Sequence, residues 1–179
     1  GNGTLPLNMV EESVRVPLIL NHPAHFTARQ RRPEFVDHTD LFQTILDVAG
    51  VPLGPAFRAE KNYPGRSFAL GLTSSDPLES WKQVQIGEYG DVRMARDARY
   101  KLVRRYPDGP NELFDLHSDP RERINRFDAP ECQPVVERLT RELDAFFEKY
   151  ADPVKNGLNV KALPRHNGSE SWRDPRNLH

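Results

Sequence analysis

The 179-residue chain carries 25 basic and 26 acidic side chains for a net charge of −1, with 37% hydrophobic and 28% charged residues. That length fits one ordinary domain, or a domain with trailing segments, around a modest core. The charge balance excludes a general electrostatic nucleic-acid binder, and no run approaches the roughly 18 apolar residues that span a bilayer, so neither nucleic acid nor membrane is expected as a partner. Cys132 is the only cysteine, which excludes an internal disulfide and leaves the compartment open. The chain opens at Gly1 with no Met and no signal-peptide pattern, as a processed chain or a fragment would.

In chain order, residues 1–12 (GNGTLPLNMVEE) read as a loop ending in a helical turn near Met9. Residues 14–20 (VRVPLIL) form an apolar run of strand length. Pro17 favours an edge or a strand end, whereas the continuous apolar character suits a buried parallel strand. Residues 21–33 are a polar, basic loop. A helix is predicted over 40–49, capped by Thr39 or Asp40, with Leu41, Phe42, Ile45, Leu46 and Ala49 at helical spacing and Gly50 ready to terminate it. Residues 51–65 read as loop, and 67–72 as one or two helical turns.

Residues 83–89, 92–96, 99–106 and 112–116 are rich in Val, Ile, Tyr, Leu and Phe and are punctuated by Gly, Asp and Pro. They predict an antiparallel sheet with one covered face. The cover is a helix over 133–150, in which Val135, Val136, Leu139, Leu143, Phe146, Phe147 and Tyr150 recur every three or four residues. Pro134 suits its first turn. Residues 152–179 have few apolar anchors and read as an extended tail.

Side chains with chemical potential are scattered. Cys132-Gln133-Pro134 has no basic neighbour to lower a thiol pKa, so Cys132 reads as a helix-start residue. His22, His25 and His38 lack the spacing of a metal site. Glu11 and Glu12 are adjacent, so they read as an exposed acidic turn rather than an acid–base pair. Arg29, Arg31 and Arg32 offer an oxyanion cluster but read first as a solvated loop. Asn2-Gly3-Thr4 and Asn167-Gly168-Ser169 match the glycosylation acceptor triplet. The residues by themselves give an α/β or α+β domain without an assembled active site.

Four stretches, in order, resemble the C-terminal region of the sulfatase family within the alkaline-phosphatase-like superfamily. They are GNGTLPLNMVEESVRVPLIL from Gly1, VDHTDLFQTILDVAGVPLG from Val36, GRSFALGL from Gly65 with the following GEYGDVRMARDARYKLVRRY, and NELFDLHSDPRERIN from Asn111. The resemblance implies an α/β fragment of the alkaline-phosphatase-like fold, followed by a small antiparallel sheet packed by a long helix. It divides the chain into 1–75 (main-domain piece, with strand 14–20 and helix 40–49), 76–151 (C-terminal subdomain) and 152–179 (tail). It implies sulfate-ester hydrolysis by a full-length enzyme that uses formylglycine and calcium, in a periplasmic or secreted setting, on a small sulfated substrate. The nucleophile, metal ligands and catalytic lysine would all lie before Gly1, in a missing N-terminal portion. No catalytic residue, metal ligand or cofactor is therefore expected in this chain, which is expected to be inactive alone. Asn2, Thr4 and Asn8, in the loop that would follow the catalytic lysine, are the candidate substrate-binding residues. The alternatives are a phosphoryl or phosphonate hydrolase of the same superfamily, and a non-catalytic binding module that self-associates through strand 14–20.

Overall fold

Consecutive apolar residues in the strands set the architecture. Side chains alternate between the two faces of a strand, so Met94-Ala95, Leu102-Val103 and Leu113-Phe114, all buried, place apolar groups on both faces of one sheet. The computed structural model describes residues 9–51 and 53–159. Its sheet has four antiparallel strands in the order β1 (Gln85–Tyr89), β2 (Val92–Arg96), β3 (Tyr100–Arg105) and β4 (Glu112–Asp115). Register aligns Ile86, Ala95, Leu102 and Leu113 across one face, and Gly87, Met94 and Val103 across the other.

The first face is covered by the predicted helix, here Gln133–Tyr150, which enters through a short 3-10 turn, Pro130–Cys132. Val136, Leu139 and Leu143 are buried against Ala95, Leu102 and Leu113, and Cys132 sits in the same cluster. The Arg93 guanidinium stacks 3.7 Å from the Phe147 ring centroid and donates to Glu88 at 2.9 Å. A buried cation is thus both neutralised and packed against an aromatic face.

The second face is also covered, contrary to the one-sided sheet expected from the sequence. Met9 packs on Val92, Met94 and Val103, with Val14 beside them. This strap carries a single helical turn, α1 (Glu11–Val14). The strand expected over 14–20 is not formed: residues 15–20 have no regular structure, and among the described residues no strand pairs with them. Val16, Leu18, Ile19 and Leu20 are exposed. A strand is stable only with a neighbour to satisfy its N–H and C=O groups, and here none is supplied.

Helix α2 (His38–Val48) is where the sequence places a helix, but Asp37 caps it, not Thr39 or Asp40. The Asp37 carboxylate accepts from Thr39 N at 2.8 Å, and Asp40 reciprocates by accepting from Asp37 N at 3.0 Å. Residues 51–65, expected as loop, contain α3 (Pro55–Lys61), with Pro55 at its first position. The turn expected over 67–72 is α4 (Leu70–Thr73). The described part of the tail doubles back instead of extending. Asp152 accepts from the backbone of Val154 and Lys155, and Gly157 N donates to Glu88 at 2.9 Å, seating this segment on the β1–β2 hairpin.

Candidate functional site

The strap and the sheet meet at a buried charged junction. Lys101, on β3, is fully buried. Its Nζ donates to the Met9 carbonyl at 2.6 Å and to Glu11 Oε1 at 3.3 Å, and pairs with Glu122. Glu122, in the turn after β4, also accepts from Glu11 N at 2.6 Å. The same Glu11 carboxylate accepts from Arg96 Nε at 3.0 Å, and the Arg96 guanidinium lies over Phe35, 5.1 Å from the ring centroid. Burying an ammonium costs several kcal/mol unless partners surround it; here two carboxylates and a carbonyl do. The chain just after residue 8 is therefore fixed at both its carbonyl and its first helical N–H.

Beside this junction lies a cleft of about 430 Å³, bounded by Glu11, Arg15, Arg96, Arg99, Leu116 and His117, with Pro120 at its edge. Arg99 grips Asp115 through Nε at 3.1 Å and Nη2 at 2.8 Å. That guanidinium, with the backbone N–H of His117, holds the Asp115 carboxyl well below the usual range. Among the described residues, the Arg15 and His117 side chains make no hydrogen bond or ion pair.

A second polar network joins α2 to β1. Lys82 Nζ lies 2.7 Å from Asp37 and also pairs with Asp40, while Gln85 Nε2 donates to Asp37 at 2.8 Å. Burial opposes ionisation of Asp37, but donation from Lys82, Thr39 and Gln85 outweighs it and keeps the carboxyl well below the ordinary value. Asp40 Oδ1 accepts from Arg66 N at 3.0 Å, and Thr44 Oγ1 accepts from Phe68 N at 3.0 Å. The helix consequently buries Asp40, Gln43 and Thr44 and turns Phe42, Ile45 and Val48 outward. On that face the Phe42 ring lies 5.6 Å from the Tyr63 ring and 6.4 Å from Phe57, while Ile45 and Val48 stay exposed.

Of the residues singled out from sequence, Asn2, Thr4 and Asn8 lie outside the described residues, as do both glycosylation triplets. Glu11 is not in an exposed acidic turn; it is drawn into the junction because Lys101 and Arg96 need a counter-charge. The basic cluster divides. Arg32 is committed to Glu34 at 2.7 Å and to the Ser74 and Asp76 carbonyls, while Arg29 and Arg31 are exposed. The His22 and His25 ring centroids lie 4.5 Å apart with the rings tilted by 51°, and among the described residues no three His, Cys, Asp or Glu side chains converge as metal ligands. The described residues therefore do not fit a calcium site. Sequence reading missed Lys101, Glu122 and Arg96. The available signal was a lysine inside a strand already apolar on both faces, which demands a buried partner.

Comparison with known proteins places this geometry. Residues 7–149 match the family model described as N-sulphoglucosamine sulphohydrolase, C-terminal. The chain belongs to this family. The match starts at the strap and ends in the helix Gln133–Tyr150, so the family unit includes both covers of the sheet. Among curated relatives, the chain is 27% identical to a delta 4,5-hexuronate-2-O-sulfatase of Bacteroides thetaiotaomicron, over 90% of this chain and 34% of that protein. The chain thus spans about a third of that relative's length. A solved protein bound to its substrate D-glucosamine-2-N,6-O-disulfate superposes with a TM-score of 0.52 at 25% identity, covering 64% of this chain and 24% of the other. A phosphonate monoester hydrolase from Silicibacter pomeroyi superposes at 0.53 and 27% identity, covering 64% and 25%.

Proposed function

We propose that this chain is the C-terminal portion of a sulfate-ester hydrolase, supporting an active site built mostly by preceding sequence and contributing part of its rim. The observation that carries this reading is the inverted helix α2. Phe42, Ile45 and Val48 face outward, and Val16, Leu18 and Ile19 are exposed as well; both are apolar surface of the kind a larger α/β body would cover. In this reading residues 1–75 complete that body, 76–151 form the sheet-and-helix subdomain, and 152–179 trail from it. Asn2, Thr4 and Asn8 line the substrate pocket, on a loop whose exit Lys101 and Glu122 hold in place. Calcium and formylglycine belong to the preceding portion, which supplies the nucleophile and the metal ligands. The substrate is a small sulfated molecule, in keeping with the sulfatase relative.

The test is to express the longer protein that precedes and includes this chain, and to compare aryl sulfate hydrolysis with that of the 179 residues alone. Hydrolysis by the long form and none by the short form is expected. Ile45→Asp in the long form should abolish activity by breaking the interface, while leaving the melting of the short form unchanged. Robust hydrolysis by the short form overturns the reading. A second reading, phosphonate monoester hydrolysis, is favoured by the Silicibacter pomeroyi neighbour; hydrolysis of a phosphonate monoester but no sulfate ester by the long form would establish it. If residues 16–20 instead pair copies of this chain as a binding module, sedimentation will show a dimer that is lost on removing residues 1–35.

A further inference from the structure

We infer that the cleft at the strap–sheet junction is a subsite for an anionic sugar residue, with Arg15 and His117 as its uncommitted donors. The inference rests on the proposed function and assigns part of the substrate to this chain's own side chains. Three observations carry it. The cleft, at about 430 Å³, falls within the roughly 300–1,000 Å³ typical of small-ligand sites. Its donor side chains are of two kinds. Arg96 and Arg99 are held in place by Glu11 and Asp115, which fixes the walls. Arg15 and His117 have no partner among the described residues and present donors to whatever enters. Finally, Leu116 and Pro120 give the cleft an apolar side. A bare oxyanion gains nothing from that surface, whereas the C–H face of a pyranose ring packs on it.

The position agrees with this chemistry. Arg15 lies seven residues beyond Asn8, on the segment leading out of the proposed rim loop. The group bound here is the sulfate or carboxylate of a sugar. Arginine suits either oxyanion by its planar fork of donors.

The test uses the 179-residue chain. D-glucosamine-2-N,6-O-disulfate is titrated at constant ionic strength while the His117 ring resonances are followed by NMR; inorganic sulfate is titrated in parallel. A saturable His117 shift is expected with the sugar. Kd should rise at least fivefold in Arg15→Ala and remain unchanged in Arg31→Ala, which removes the same charge from an exposed loop. Inorganic sulfate should bind at least tenfold more weakly. Absence of a saturable shift overturns the subsite. Equal weakening by Arg31→Ala does so as well, since it reduces the effect to general attraction. Equal affinity for inorganic sulfate overturns the assignment to a sugar. Hydrolysis by the long form alongside no binding here would leave the proposed function standing without the subsite; saturable binding alongside an inactive long form would refute the function but not the cleft.

Discussion

Replacing Lys101 by Met removes the charge at the strap–sheet junction while keeping most of the side-chain volume. Lys101 is 0% exposed and Glu122 is 1% exposed, so the substitution leaves a carboxylate buried without its cation. The Met9 carbonyl also loses its donor. Breaking a buried pair by removing one partner costs about 3–5 kcal/mol, because the orphaned charge cannot reach water. For a chain of this size each kcal/mol lowers Tm by about 2–4 °C, so the expected drop is about 6–20 °C. Urea unfolding followed by the fluorescence of buried Trp81 gives the free-energy loss directly. Adding Glu122→Gln to Lys101→Met should restore part of it, since the second change removes the stranded charge. If Lys101→Met costs less than about 1 kcal/mol, or if the two losses simply add, the junction is not the buried ion pair described here.

Leu143 is fully buried between the C-terminal helix and the sheet, so Leu143→Asp should unfold the sheet-and-helix unit; an unchanged melting curve would contradict the docking. Gly65 sits against α2, where an added Cβ would fall inside contact distance of the Thr39 carbonyl. Gly65→Ala should therefore cost about 1–3 kcal/mol in chemical denaturation. The native pKa values of Asp37, Asp97 and Asp115 are lowered, so these groups stabilise the fold above the unfolded carboxylate value near 3.9 and cease to do so as pH falls through their native values. Tm should be flat from pH 7 to 5 and fall steeply below about 4. Asp115→Asn should lower Tm at pH 7 but shrink the acid-induced drop; an undiminished drop would remove Asp115 as a contributor.

The sheet and its long helix were legible in the sequence because their signals are local. Val136, Leu139 and Leu143 repeat at helical spacing, and the glycines and prolines between strands mark the turns. What was not legible depends on distant chain. Val14–Leu20 has the composition of a strand, but composition does not provide a hydrogen-bonding neighbour. The apolar residues of α2 predicted a helix but gave no sign that its polar side is the one the described residues bury. Lys82, Arg66 and Phe68 bind the polar side through Asp37, Asp40 and Thr44. The junction was hidden because Glu11, Lys101 and Glu122 are ordinary charged residues until the fold brings them together across a span of 111 positions.

Met9 and Lys101, whose contact closes the second face of the sheet, are 92 residues apart. On the ribosome, at about 5–20 residues per second, the strap therefore emerges about 5–20 s before the strand it covers. Throughout that interval Met9 and Val14 lack the complete Val92, Met94 and Val103 surface on which they pack. The nascent chain thus carries apolar groups at Met9 and Val14 whose burial waits until β3 is complete. Chaperone occupancy during synthesis should peak there and fall once Lys101 clears the exit tunnel.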